Sequence, residues 1–469
     1  MNEKLILHLK KIFGGNRVLT SRTDRMTYSY DASFATQLDP KEPEVVVIPQ
    51  STEEVSACVK LANEYKIPLY PRGAGTGQTG GAVPIKGGIV IDLSKMNRIV
   101  EIDHQNMQVI VEPGVVQADL NQALKEYNLR FPPDPGSAKM CTVGGMVSNN
   151  SSGLRAVKYG VTRTYVLGLE VVLPTGEVIM TGGEKSKALK SVSGYDLAHL
   201  MIGSEGTLGI VTKLRLKILP LPVTRGIVLA SFKKLEDAGG AVNATFRSGI
   251  QPSAIEIMDV NCMKAANMMK PDLNLPDDNE ALLIFEVDGS KDEVTAQVHR
   301  LTEVVNEYSV FVKFSDEPLE CQTLWEARQI VGAAVGLLNP GGFRVYGGED
   351  ICVPISRLPE VLRSIQNIAE SYGIICGIYG HVGDGNLHTG PVIKLNNKVE
   401  VVNVQKMIDD IHNLAIEMEG TTTAEHGVGL VRAEYMEKEH GPALELMRAI
   451  KKTMDPNNIL NPGKMALPN

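Results

Sequence analysis

The sequence predicts an α+β protein built in two parts, and three observations carry that reading. Its 469 residues exceed what one ordinary hydrophobic core supports, so two domains, or one with an insertion, are expected. The first half alternates short apolar strands with helical stretches. Residues 44–48 read Glu-Val-Val-Val-Ile, a buried strand; Thr52 to Tyr65 place Val55, Cys58, Val59 and Ala62 on one helical face; 68–70 begin a second strand. Ser51 or Thr52, with Glu54 behind it, suits the helix N-terminus. Third, amide-rich loops of small residues fall at 71–84, 131–153 and 203–212, separated by short strands, which is the pattern of a long ligand laid across one α+β domain.

Composition narrows the classes. The chain is 43% hydrophobic and 22% charged, an ordinary globular balance. A net charge of -8, with no basic run interleaved with aromatics, argues against nucleic acid as a partner and disfavours anionic membranes. No stretch approaches the roughly 18 apolar residues that span a bilayer, so no direct membrane insertion is expected. The first 13 residues alternate charged and apolar side chains at helical spacing and lack the features of a signal peptide, so an amphipathic surface helix and a cytoplasmic protein are expected. Six cysteines lie far apart with no C-x-x-C pair, which argues against a disulfide framework and against an iron–sulfur cluster bound by this chain alone.

The loop Pro71-Arg-Gly-Ala-Gly-Thr-Gly-Gln-Thr-Gly-Gly-Ala-Val-Pro84 follows a strand, as a dinucleotide fingerprint would. A Rossmann loop opens a helix directly behind it, whereas here the next element is the strand from Gly88 to Leu93. Loop amides, with the Thr76 and Thr79 hydroxyls, would then form a nest for pyrophosphate. A plain turn-rich connection is the rival reading, and the second and third loops weigh against it.

Near the C-terminus, His381-Val-Gly-Asp-Gly-Asn-Leu-His388 and Glu425-His426-Gly-Val-Gly429 hold three of the nine histidines. His381, His388 and Glu425 could supply three ligands to a divalent ion and leave a position open for substrate. Glycines between them allow the tight turns that bring side chains seven apart together. His426, beside a ligand, is then available to take a proton. The two histidines could instead be core residues satisfied by backbone carbonyls. A metal-dependent hydrolase is a further alternative, but it would leave the first 220 residues without a purpose.

Taken together, the strings PRGAGTGQTGG, GGMVSNNSSG, GSEGTLGIVT, GHVGDGNLH, EHGVG and LNPGK resemble, in that order, flavoproteins of the vanillyl-alcohol-oxidase family. Within it the chain is similar to the branch holding the catalytic subunit of glycolate oxidase, D-lactate dehydrogenase and D-2-hydroxyglutarate dehydrogenase. The resemblance implies an FAD-binding domain over 1–220, an inserted antiparallel-sheet substrate (cap) domain over 221–415, and a C-terminal segment over 416–469 returning to the FAD domain. By the same resemblance, Arg72, Gly73, Ala74, Gly75, Thr76, Gly77 and Thr79 would hold the FAD pyrophosphate. Ser137, Thr142, Gly144, Gly145, Ser148, Asn149 and Gly153 would line the isoalloxazine and ribityl side, with Glu205 and Ile210 near the adenosine half. His381, His388 and Glu425 would bind Zn²⁺ or Fe²⁺, His426 would be the base, and Arg328 would pair with the substrate carboxylate.

The implied reaction is oxidation of a small 2-hydroxy acid to the 2-keto acid by hydride transfer to flavin N5. Such an acid chelates a metal through its hydroxyl and one carboxylate oxygen, and arginine's planar fork suits the carboxylate. Departures from the family pattern refine this. Met146 and Ser152 stand where Asn and Gly are usual. Gly348 replaces the lysine expected for a diacid, and Gly390 offers no side chain to a distal carboxylate, so D-lactate or glycolate is favoured and D-2-hydroxyglutarate is the alternative. The loop 71–88 contains no histidine, so FAD is expected to be noncovalent, and Cys141 is expected to be inert. Electrons would pass to an external acceptor, an electron-transferring flavoprotein or an iron–sulfur subunit, with a quinone as a further candidate. A flavin-binding electron carrier without substrate chemistry is the remaining class.

Overall fold

The computed structural model describes residues 3–183, 185–345 and 350–468. The chain forms two compact units: Met1–Ser152, Gly160–Leu221 and Glu425–Asn469 make the first, and Gly153–Tyr159 with Pro222–Ala424 the second.

In the first unit, the strands Val45–Val47, Ile89–Asp92 and Leu69–Arg72 run parallel in that order, with Val18–Leu19 antiparallel beside Val45–Val47. The helix Thr52–Tyr65 makes the crossover that parallel strands require. Ser51 Oγ accepts from the Glu54 amide at 3.3 Å, and Lys66 ends the helix in the left-handed region. Val55, Cys58, Val59 and Ala62 are all fully buried, as the spacing predicts. Leu5, Leu9 and Phe13 of the helix Glu3–Phe13 pack into the same core, each such burial contributing about 1.5–3 kcal/mol. The far edge of this sheet is closed by the C-terminal stretch: Leu69 donates to the Ile459 carbonyl and Asn461 donates to the Leu69 carbonyl, both at 2.7 Å.

A second, antiparallel sheet of five strands runs Ile99–Asp103, Gln108–Val111, Ile210–Lys217, Val166–Val172, Val178–Met180. Its central strand alternates buried Leu214 and Leu216 with outward Lys213 and Arg215, the period of a half-buried strand. In the connection between Gln108–Val111 and Val166–Val172 of this sheet, the block 141–153, expected as a loop, holds a short helix, Val143–Asn149. Thr142 Oγ1 accepts from the Gly145 amide at 3.3 Å, and Asn150 ends the helix left-handed. Two glycines weigh against a helix by about 1 kcal/mol each, but Gly144 is required: a Cβ there would stand 2.5 Å from Pro113 Cβ.

The second unit is built on an eight-stranded antiparallel sheet. Its path is Phe311–Ser315, Thr224–Phe232, Ala281–Gly289, Ala254–Asp259, Ile375–Gly380, Asn386–Ile393, Phe343–Arg344, and Asp350–Cys352 also pairs with Asn386–Ile393. Helices cover both faces. Ile227, Leu229, Met258 and Ile284 pack with Trp325 and Val331 of the helix Pro318–Ala334, while Gly226, on the opposite face, lies against Val294 and Val298 of the helix Lys291–Asn306. Two-sided burial explains why Ala281–Gly289 reads as a nearly continuous apolar run.

That run contains two acids, and both are clasped by the segment Gly153–Tyr159. Arg155 Nε and Nη2 each donate to the Glu286 carboxylate at 2.7 Å, Trp325 Nε1 adds a third bond at 3.0 Å, and Ser253 Oγ a fourth at 2.8 Å. Lys158 and the Tyr159 hydroxyl hold Asp288. Burial alone would raise the Glu286 carboxyl, but the Arg155 guanidinium and these donors outweigh it and bring it down to about 2. The expected second boundary at 415 falls inside the helix Lys398–Glu417, and the units divide at Ala424 and Glu425 instead. Among the described residues, no helix is long and apolar enough to cross a membrane.

Candidate active site

In the second unit, His381 and His388 flank the turn joining two neighbouring strands, Ile375–Gly380 and Asn386–Ile393. Gly385 makes that turn possible, with φ 87° and no room for a side chain, since a Cβ would stand 2.0 Å from the Val353 carbonyl oxygen. The two imidazoles meet edge to face, 5.2 Å between centroids. His381 Nδ1 donates to Glu256 Oε1 at 2.6 Å, and Arg328 Nε donates to the other oxygen, Oε2, also at 2.6 Å. Glu256 is fully buried in the strand Ala254–Asp259, so one carboxylate fixes a predicted metal ligand and the predicted carboxylate-binding arginine together.

His388 lies in register with Tyr379 on one side and Asp350 on the other. Asp350 Oδ1 is 3.8 Å from His388 Nδ1 and accepts from Asn386 Nδ2 at 2.9 Å; Oδ2 accepts from Thr423 Oγ1 and from the Ala424 amide, each at 3.1 Å. Glu425 is the next residue along the chain. The Tyr379 ring sits between two guanidinium groups, with Arg328 Cζ at 5.1 Å and Arg344 Cζ at 5.4 Å from its centroid. A Cβ at Gly390 would meet Arg344 Nε at 3.4 Å, so arginine occupies the space that glycine leaves there. Gly348 lies outside the described residues.

In the first unit, Glu425 Oε2 accepts from Ser152 Oγ at 2.8 Å, and His426 Nε2 lies 3.7 Å from Glu425 Oε1. The His426 carbonyl accepts from Asn149 Nδ2 at 3.3 Å and from Thr79 Oγ1 at 3.4 Å. Asp350 with His388 in one unit, and Glu425 with His426 in the other, each present ligand atoms within 4.8 Å of one another.

The predicted flavin residues divide into three groups. Gly73 to Gly77 lie against the second block: a Cβ at Gly73 would stand 2.3 Å from Thr142 Oγ1, and one at Gly77 would be 3.9 Å from Asn149 Nδ2. The amides of 74–79 have no hydrogen-bond acceptor among the described residues, while the Gly80 amide is taken by Asp31 at 2.7 Å. A row of unclaimed amides fits a pyrophosphate, so the residues present suit the predicted cofactor. Ser137, Gly145 and Ser148 are half-buried nearby in sequence, with Ser148 Oγ donating to the Gly144 carbonyl at 2.9 Å.

The second group serves the loop itself. Arg72 folds back, donating to the Tyr30 carbonyl at 2.9 Å and packing beneath Gly75, and Thr79 spends its hydroxyl on His426. The third group is engaged within the protein. Ile210 is a core residue beside Val172, Gly153 belongs to the second unit, and both Glu205 carboxylate oxygens are used by the amides of Val428 and Gly429 at 2.7 and 2.9 Å. Cys141 is buried, and burial raises its thiol above the ordinary value, which disfavours the reactive thiolate.

Sequence reasoning missed Glu256, Asp350 and Tyr379. A signal existed for the two acids: Glu256 sits between two isoleucines and Asp350 precedes one, each in a strand, and a charge inside an apolar strand must find a partner.

Residues 43–182 match the FAD binding domain model, and residues 221–465 match the model of FAD linked oxidases, C-terminal domain. The chain is 38% identical to the glycolate oxidase subunit GlcD of Bacillus subtilis, covering 97% of this chain and 95% of that protein. It is 37% identical to the mitochondrial D-lactate dehydrogenase [cytochrome] of Arabidopsis thaliana, over 99% of this chain and 80% of that one, and 38% identical to the D-lactate dehydrogenase of Anaerostipes hadrus, over 90% and 89%. Among solved structures, 4-ethylphenol oxidase from Gulosibacter chungangensis superposes with a TM-score of 0.81 at 20% identity, covering 100% of this chain and 97% of that one. p-Cresol methylhydroxylase does so with a TM-score of 0.80 at 18% identity, over 99% and 97%. These share the predicted vanillyl-alcohol-oxidase fold, and the chain belongs to the FAD-linked oxidases.

Proposed function

We propose that this chain oxidises a short 2-hydroxy acid, D-lactate or glycolate, to the 2-keto acid, using FAD and a divalent ion, Zn²⁺ or Fe²⁺. The names of its relatives support the substrate class. The observation that carries the reading is the buried Glu256 carboxylate, which holds His381 and Arg328 at 2.6 Å each. A metal-binding histidine commonly gives its second nitrogen to a carboxylate, and with Glu256 on His381 Nδ1 and Asp350 beside His388 Nδ1 the Nε2 atoms would be the ones to hold the ion. Glu425 would complete the ligand set.

Arg328, its Nε fixed by Glu256, presents the rest of its fork to the substrate carboxylate. His426 takes the hydroxyl proton, on a loop whose backbone is held at the His426 carbonyl. The amides of 74–79 take the pyrophosphate. When bound, FAD supplies the hydride acceptor and the ion lowers the pKa of the substrate hydroxyl. Electrons then leave to an external acceptor, an electron-transferring flavoprotein or an iron–sulfur subunit.

The test is anaerobic addition of D-lactate, L-lactate, glycolate and D-2-hydroxyglutarate in turn, following flavin absorbance with and without a chelator. Bleaching by D-lactate or glycolate, suppressed by the chelator, is expected. Bleaching by none of the four sinks the proposal, and bleaching by the diacid alone moves it to D-2-hydroxyglutarate.

Glu256→Gln is expected to weaken two functions at once. Metal affinity should fall about 10–100-fold, read by competition with a chromophoric chelator, and KM for the acid should rise because Arg328 loses its anchor. Unchanged metal affinity and KM would remove Glu256 from the site.

A further inference from the structure

One buried lysine has no part in the reading above. Lys464 is fully buried in the first unit, and its ammonium donates to the carbonyls of Gly80 and Val83 at 2.8 and 2.7 Å. Those residues close the loop whose amides face the proposed pyrophosphate site. Glu205, also buried, does the complementary work on the other loop, accepting from the Val428 and Gly429 amides two and three residues past His426. Its backbone is left-handed at φ 50°, a conformation few non-glycine residues hold without a reason.

The two loops are laced together at these points. The Leu430 amide donates to the Thr79 carbonyl at 2.7 Å, the Met465 amide to the Gly429 carbonyl at 2.9 Å, and Asn461 Nδ2 to the carbonyls of Gly81 and Glu205 at 2.9 and 2.6 Å. Two isolated buried charges would each be costly, and opposite signs in one region offset that cost. Burial pushes the Lys464 ammonium down to about 7, and the charges holding it up are Asp31 and Glu205.

We propose that Lys464 and Glu205 are paired positioning residues of opposite charge: Lys464 sets the carbonyl side of the flavin loop, and Glu205 the amide side of the His426 loop. The inference rests on the proposed roles of those loops, and neither side chain need touch cofactor or substrate.

The experiment compares K464M, E205Q and K464M/E205Q in the full chain by two readouts. One is FAD affinity of the apoprotein from fluorescence titration; the other is the single-turnover bleaching rate at saturating FAD with the acid that reduces the parent protein. K464M is expected to keep its circular dichroism spectrum, raise the Kd for FAD at least tenfold and slow bleaching at least tenfold. The double variant, which buries no net charge, is expected to show less than the product of the single effects. K464M within twofold of the parent on both readouts, or effects that multiply, would overturn the pairing. If K464M fails to fold while the double variant folds, the pairing stands; if neither folds and E205Q is within twofold of the parent, it falls. A parent protein that no 2-hydroxy acid bleaches defeats the proposed function, and FAD affinity still decides the question asked here.

Discussion

Replacement of His426 by alanine is expected to leave FAD bound while slowing flavin bleaching by about 10²–10⁴-fold, the usual contribution of a positioned general base. The loop should survive the change. It is held through its backbone, by Asn149 and Thr79 on the His426 carbonyl and by Glu205 on the Val428 and Gly429 amides. The imidazole is 22% exposed, so truncation opens no core cavity. Stopped-flow reduction under anaerobic conditions gives the rate, and added imidazole should restore part of it. A rate within tenfold of the parent would show that another group removes the proton.

The second large effect is on stability. Arg155→Met should cost about 3–5 kcal/mol, because it strips the buried Glu286 carboxylate of its two short guanidinium bonds and leaves it to Arg225, which is 3.9 Å away and solvent-exposed. For a domain of this size each kcal/mol lowers Tm by about 2–4 °C. The acid response should change as well. The Glu286 carboxyl is depressed in the folded chain to about 2, so its contribution is complete above its unfolded pKa near 4.5 and is lost as pH falls through about 2. By linkage that contribution is on the order of 3 kcal/mol. Calorimetry from pH 7 to 3 should show that dependence in the parent and a shallower one in the variant. R155M/E286Q, with no buried charge left over, should regain part of the loss. Equal melting temperatures for parent and R155M would refute the argument.

Much of the fold could be read from local pattern because local pattern was sufficient to produce it. The helix Thr52–Tyr65 has its cap, its apolar face and its end within 16 residues, 51–66, and each agrees with the others. The helix Val143–Asn149 could not be read this way, since its Gly144 answers to Pro113, a neighbour distant in sequence. The site divides along the same line. His381, His388, Glu425 and His426 sit in short glycine-punctuated strings whose composition is unusual anywhere. Glu256 and Asp350 sit in ordinary strands, and their importance comes from what lies across the sheet: His381 and Arg328 for one, His388 for the other. The amides that engage Glu205 come from more than 220 residues further along the chain, beyond the reach of local pattern.

The clasp formed by Gly153–Tyr159 bears on how this protein can be dissected genetically. A gene cut to encode only 222–424 would make a chain with the acceptor side of both clasps, Glu286 and Asp288, but without Arg155 and Lys158, leaving Arg225 at 3.9 Å to face Glu286. The missing piece is a heptapeptide that lies far upstream in the gene. A fragment of the second unit is therefore expected to fold stably only with this piece, fused or supplied in trans.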